Sequence, residues 1–184
     1  GGRTSAVAVG SCDGTGIADR AFVQMLGAGF DAQVVADVSR GLKRRLGRWA
    51  YVLMSLRAAL RYHYPVFEVQ LDGEAHRACS VIVANGRYYG GPYISAPAAD
   101  LRRAELQVCL FHRGGPLHVA RYGLALLTGR LWRLRDVSIH AATRIEITAP
   151  AGEPVQGDGD TFGSTPVSVA VRSARQLLVV PEER

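Results

Sequence analysis

Lysine is almost missing from this chain: Lys43 is the single example among 22 lysines and arginines, so the formal charge of +6 is carried by guanidinium groups. A planar guanidinium fork suits phosphate oxygens, but a coding bias toward arginine gives the same composition without functional content, so position matters more than the total. Cysteine is scarce as well. Cys12, Cys79 and Cys109 are odd in number and lack a C-x-x-C pair, which excludes a disulfide scaffold and a thiolate zinc site and implies a reducing compartment. Cys79 and Cys109 sit in apolar, strand-like runs and are expected as buried thiols. His63, His76, His112, His118 and His140 show neither i, i+4 pairing nor zinc spacing, so none is assigned a metal. No Gly-x-Ser-x-Gly elbow exists for an α/β-hydrolase nucleophile. No apolar run approaches the roughly 20 residues of a membrane-spanning helix. A secretory signal is not seen, and the Gly1-Gly2 start reads as an engineered scar or a cut through a longer chain. Internal repeats, heptads and low-complexity tracts are missing too, and only Pro181 to Arg184 is expected to fray.

What is present is enough for one domain. With 184 residues and 48% hydrophobic content, the chain can bury a substantial core but is too short for two ordinary enzyme domains. Ala6 to Gly10 and Ala21 to Met25 read as strands around a Gly/Asp-rich loop. Val34, Val38, Leu42 and Leu46 recur every fourth residue, predicting a helix over Gln33 to Leu46 with Asp31 placed to cap it. Gly47 breaks that pattern. Trp49, Val52, Leu53, Leu56 and Leu60 mark a second amphipathic helix ending near Arg61. Beyond His63 the period changes. Val66 to Leu71, Ala78 to Ala84, Leu106 to Phe111, Val137 to Ala149, Val167 to Val171 and Leu177 to Val180 read as strands, with one helix over Leu117 to Leu127. The expected fold is mainly β (α+β), an antiparallel β-sandwich with an inserted helical hairpin and one further short helix. Trp49 and Trp132 are expected as packing anchors.

Two stretches could carry chemistry. Gln156-Gly157-Asp158-Gly159-Asp160 sets two carboxylates around a glycine, where Asp-Gly favours a tight turn because glycine tolerates positive φ. Such a turn is either simply a hairpin or a place where carboxylates meet a cation or a phosphorylated nucleotide. Arg40, Lys43, Arg44, Arg45, Arg48, Arg57 and Arg61 make the predicted helical hairpin the densest cationic stretch. It is either a solvated outer face or a surface for anionic headgroups, each cation there being worth about 1 kcal/mol. Nucleic acid is not expected, because no zinc-finger or aromatic RNA-binding motif accompanies the charge.

Read in order, the segments Gly27-Ala28-Gly29-Phe30-Asp31-Ala32, the basic hairpin, Val83-Ala84-Asn85-Gly86-Arg87-Tyr88-Tyr89-Gly90-Gly91, Ala96-Pro97-Ala98-Ala99 and Gln156-Gly157-Asp158-Gly159-Asp160 resemble the C-terminal domain of the diacylglycerol kinase and sphingosine kinase family, in its bacterial type. The resemblance covers nearly the whole chain. It implies a mostly β, lipid-binding half of an ATP-dependent lipid kinase, with the ATP-binding N-terminal domain lying outside this chain. Ser11-Cys12-Asp13-Gly14-Thr15 imitates the family's nucleotide motif but precedes the Gly-Phe-Asp-Ala segment, so it is read as a turn. By resemblance, Asp158 and Asp160 are the catalytic acids, matching the family's Asp-Gly-Glu near nucleotide and magnesium. Asp31, Asn85, Gly90 and Gly91 bind the acceptor, and Arg40, Lys43, Arg44, Arg45 and Arg48 face the membrane.

Two departures stand out. Asp160 replaces a glutamate, shortening the reach by on the order of an ångström. Asp100-Leu101-Arg102-Arg103-Ala104-Glu105-Leu106-Gln107 replaces an acidic metal loop, and arginines cannot supply the oxygen ligands that Mg²⁺ requires. That site is expected to be missing or rebuilt on Asp100 and Glu105. The implied reading is transfer of the ATP γ-phosphate to a diacylglycerol-like or sphingoid hydroxyl by a cytoplasmic enzyme held peripherally at the inner membrane face, with Mg²⁺ and ATP in the intact enzyme. This chain alone is expected to be inactive, and a homodimer stays open. The alternatives are a non-catalytic lipid-binding module and a domain of NAD-kinase type.

Overall fold

The computed structural model describes residues 2–37, 57–172 and 176–181. Two six-stranded antiparallel sheets face each other. The first is built from β4 (Met25–Ala28), β7 (Ser80–Ala84), β10 (Leu106–Phe111), β11 (Val137–Ala142), β13 (Pro154–Gly157) and β14 (Asp160–Ser164), in the order β11-β10-β7-β4-β13-β14. The second holds β2 (Gly10–Gly14), β3 (Ile17–Phe22), β5 (Phe67–Leu71), β6 (Glu74–Ala78), β12 (Arg144–Ala149) and β15 (Val167–Val171), in the order β3-β2-β15-β12-β5-β6. Two ribbons flank them: β1 (Gly2–Val7) with β16 (Gln176–Pro181), and β8 (Tyr88–Gly90) with β9 (Tyr93–Ile94). Helix α1 (Phe30–Asp37) follows β4 directly, and α2 (Pro116–Leu127) follows β10.

The burial pattern of each strand reports how many of its faces are covered. In β5, Phe67, Val69 and Leu71 are buried while Glu68 and Gln70 are exposed, the alternation of a sheet with one wet face. In β10 all six residues are buried. Leu106, Val108 and Leu110 join the core between the sheets, whereas Cys109 and Phe111 belong to a second cluster with Tyr122, Ala125 and Leu131. Helix α2 therefore covers the outer face of the first sheet. A buried side chain of this kind contributes about 1.5–3 kcal/mol, so the doubly covered strands anchor the domain.

The expected sandwich is what folds, and the structure corrects its details. The Gly/Asp-rich loop between the first strands is itself paired: β2 and β3 form a hairpin across it, with Ser11↔Ala21 in register. Ser11 to Gly14 are thus strand where a turn was expected, and the turn is confined to Thr15-Gly16. Val137 to Ala149 divides at Thr143 into two strands on different sheets. The polar strand β6 and the short ribbon β8–β9 were not anticipated, because an exposed edge strand has no apolar alternation to display. Cys109 and Cys12 are the fully buried thiols, both pushed up to about 12 by burial, while Cys79 is only half-buried. Residues 57–61 are helical, matching the predicted end of the second helix. Arg40, Lys43, Arg44, Arg45, Arg48 and Trp49 lie outside the described residues.

Candidate functional site

The site grows from a two-residue turn. Asp158 and Gly159 join β13 to β14 with φ of 51° and 85°, the pair of positive values a type I′ hairpin needs. This turn aims the Asp158 carboxylate at the segment entering β4. Its Oδ2 accepts the amide of Val23 at 2.7 Å, its Oδ1 accepts those of Gln24 and Met25 at 2.9 Å each, and its own N–H donates to the Met25 carbonyl at 2.9 Å. The other Asp-Gly turn, Asp72-Gly73 between β5 and β6, uses the same device: the Asp72 carboxylate accepts the amides of Thr143 and Arg144 and the Thr143 hydroxyl.

Gln156, buried in β13, links the turn to a second acid. Its Oε1 accepts the Gly159 amide at 2.9 Å and its Nε2 donates to Asp31 Oδ2 at 3.1 Å. Asp31 sits in the first turn of α1 and lies against β4 because residue 27 is glycine: a Cβ there would overlap Asp31 Oδ2. The other carboxylate oxygen, Oδ1, is buried without a hydrogen-bond partner among the described residues. Burial pushes the Asp31 pKa from 3.8 up to about 6, opposed by the Gln156 hydrogen bond. Tyr89 is also shifted upward, by its own burial and then by the charge of Asp31.

These groups open onto one groove of about 530 Å³, lined by Gln24, Met25, Phe30, Asp31, Val34, Val35, Tyr89, Gly90, Gln156, Asp158 and Gly159. Asp31 and Asp158, 127 positions apart (158 − 31), thus share one cavity with Gly90. Asn85 does not line it. Fully buried, it donates from Nδ2 to the Ala8 and Val23 carbonyls at 2.9 and 2.7 Å, bracing from behind the segment that Asp158 grips in front. Gly91 turns the β8–β9 hairpin at φ 57°, and Asp160 stands exposed at the start of β14, outside the lining. Sequence reasoning assigned no role to Gln156, Gln24, Phe30 or Tyr89. Phe30, Gln156 and Tyr89 stood inside the quoted motifs, but only the Gln156 bond to Asp31 and their places in the groove single them out.

The loop that resembles a metal site is closed by a guanidinium. Arg102 donates from Nε and a terminal nitrogen to both Asp100 oxygens at 2.9–3.2 Å, and its amide adds a bond at 3.0 Å. Arg102 holds the Asp100 carboxyl well down, at about 2. Glu105 accepts from Gln107 at 3.1 Å. Among the described residues no group of three or more His, Cys, Asp and Glu could hold a metal ion. The donors in this loop therefore do not fit Mg²⁺. Accordingly, EDTA or added Mg²⁺ is expected to move the thermal midpoint of this domain by less than about 1 °C. A saturated structural site would raise it by several degrees through binding linkage, and that rise would show the loop to hold a cation after all.

Fold and groove together define an antiparallel β-sandwich domain with a carboxylate-bearing cavity at the entry to α1. The chain belongs to the family described as the YegS C-terminal NAD kinase beta sandwich-like domain, whose model matches residues 24–180. No curated protein matches it in sequence. Among solved structures it is similar to a provisionally assigned diacylglycerol kinase from Bacillus anthracis str. Sterne, at 19% identity and a TM-score of 0.67 over 92% of this chain and 54% of that one. It is also similar to a second structure from the same organism, that of a diacylglycerol kinase, at 15% identity and a TM-score of 0.63, over 97% of this chain and 55% of that one. These likenesses show the fold. The chain spans slightly more than half the length of the structures it matches.

Proposed function

We propose that this domain is the acceptor-binding half of an ATP-dependent lipid kinase, presenting a diacylglycerol-like or sphingoid hydroxyl for phosphorylation at the inner membrane face. The observation that carries this reading is Asp31, whose Oδ1 is buried without a hydrogen-bond partner among the described residues and which lines the groove together with Met25, Phe30, Val34 and Val35. A largely apolar wall interrupted by a few polar groups suits a lipid that is hydrocarbon except at its hydroxylated head. Family membership and the names of the similar structures support it.

In this reading Asp31 Oδ1 accepts the hydrogen bond of the acceptor hydroxyl and orients its oxygen. With a pKa near 6, Asp31 is mostly ionised at neutral pH yet basic enough to take the proton as the hydroxyl attacks phosphorus. Gln156 holds the carboxylate in register with the turn, and Asp158 fixes the 23–25 segment that forms the floor. Asp160 accepts no hydrogen bond among the described residues and is the turn's carboxylate left to face the phosphoryl end. ATP is the co-substrate, bound by a nucleotide domain outside this chain, and magnesium bound with it would neutralise phosphate charge. The full-length protein, given radiolabelled ATP and diacylglycerol or a sphingoid base in detergent micelles, is expected to yield labelled phospholipid. Labelling of NAD instead, or of nothing, would overturn the assignment. The Arg102–Asp100 closure favours a second reading, a lipid-binding module without turnover, which predicts micelle binding by the intact protein with no label transferred.

A further inference from the structure

Helix α2 buries Tyr122 and Ala125 against the first sheet, with the Tyr122 ring 5.0 Å from that of Phe111. Its other side is apolar too. Leu117, Leu124 and Leu127 are 85%, 63% and 59% exposed, and spacings of seven and ten residues put them on one face. Three exposed leucines in a twelve-residue helix form a patch that a solvated face does not need. The adjoining sequence is rich in arginine. From 113 to 135 the chain holds Arg113, Arg121, Arg130, Arg133 and Arg135 and no aspartate or glutamate. Arg121 is committed to Asp136, whereas Arg113, Arg130, Arg133 and Arg135 are exposed and form no ion pair among the described residues.

We infer that the outer face of α2 docks on an anionic lipid bilayer, its leucines entering the acyl boundary and the flanking arginines meeting headgroup phosphates. Charge decides between the two apolar occupants to hand. A second copy packed symmetrically on this face would set the same arginines against one another, whereas an anionic bilayer complements them. Position agrees. Helix α2 packs against β9, and the β8–β9 hairpin exposes Tyr88 and Tyr93, side chains suited to the headgroup layer, while lining the groove with Tyr89 and Gly90. Docking through α2 would bring the groove beside the membrane from which an acceptor must come. The choice of a bilayer rests on the lipid-kinase reading, and the location of the surface is additional to it.

The test is flotation of the full-length protein with equimolar phosphatidylglycerol–phosphatidylcholine vesicles. Wild type should float, and the Leu124→Asp/Leu127→Asp variant should partition at least about tenfold less, since each lost leucine insertion removes a burial gain of that order. Arg130→Glu/Arg133→Glu should lose binding to these vesicles by about tenfold or more, with wild-type binding falling as salt rises. All four residues are exposed, so unchanged thermal midpoints are expected and separate docking from unfolding. Equal flotation of wild type and variants, failure of wild type to float, or loss of self-association in the leucine variant by sedimentation would each overturn the inference. Phosphorylation of lipid in detergent micelles needs no bilayer and should survive both variants. Its absence in wild type sinks the kinase reading while leaving the flotation result to judge the surface.

Discussion

Asp31→Asn is expected to lower lipid phosphorylation by the intact enzyme about 10²- to 10⁴-fold, the range associated with a positioned general base. The same substitution should leave the fold intact and flatten its pH dependence. The folded-state pKa of Asp31 is raised from 3.8 to about 6, so the folded protein holds this proton more tightly than the unfolded chain. Stability from the group is therefore fully present below about pH 4 and is lost as pH rises toward 6, roughly 3 kcal/mol in total. Asparagine cannot lose a proton, so urea midpoints of the variant should no longer decline across that window, and at neutral pH the variant should be the more stable protein. A variant with the wild-type slope would show that Asp31 is not the buried titrating acid. One with the slope removed but full activity would keep the burial and remove the catalytic role.

The fold was legible because its strands advertise their surroundings. Phe67, Val69 and Leu71 alternate with polar neighbours, and Leu106 to Phe111 is apolar throughout, so strand boundaries there follow from periodicity. Ser11 to Gly14 and Glu74 to Arg77 are strands for a different reason: each pairs with an already buried neighbour, β15 and β5 respectively, and that tertiary pairing overrides weak local propensity. The site was legible only as a list of motifs. Asp31, Gly90 and Asp158 do line one cavity, but neighbouring positions in a motif do not share a fate. Asp158 spends its carboxylate on three backbone amides while Asp160, on the far side of Gly159, accepts no hydrogen bond among the described residues, although both are exposed. Asn85, placed by resemblance at the acceptor, spends its donors on the Ala8 and Val23 carbonyls. Hydrogen-bond direction of this kind depends on which loop arrives from elsewhere, and no spacing rule encodes it.

That direction also decides how Asp158 should respond to substitution. Asp158→Ala removes the acceptor for the Val23, Gln24 and Met25 amides and places alanine at φ 51°, so a stability loss of about 2–3 kcal/mol is expected. The loosened 23–25 segment lines the groove through Gln24 and Met25, so lipid phosphorylation should drop at least about a hundredfold as the floor loses its geometry. Asp72→Ala provides the control, because it breaks the equivalent turn on the other sheet. It should cost stability in the same manner while sparing activity in what remains folded. Asp158→Asn separates positioning from chemistry. Its amide oxygen can still accept from Gln24 and Met25, and asparagine tolerates positive φ, so stability and activity should recover together if Asp158 works by holding the segment. Recovery of stability with activity still at the alanine level would instead put the charge of Asp158 itself among the reacting groups.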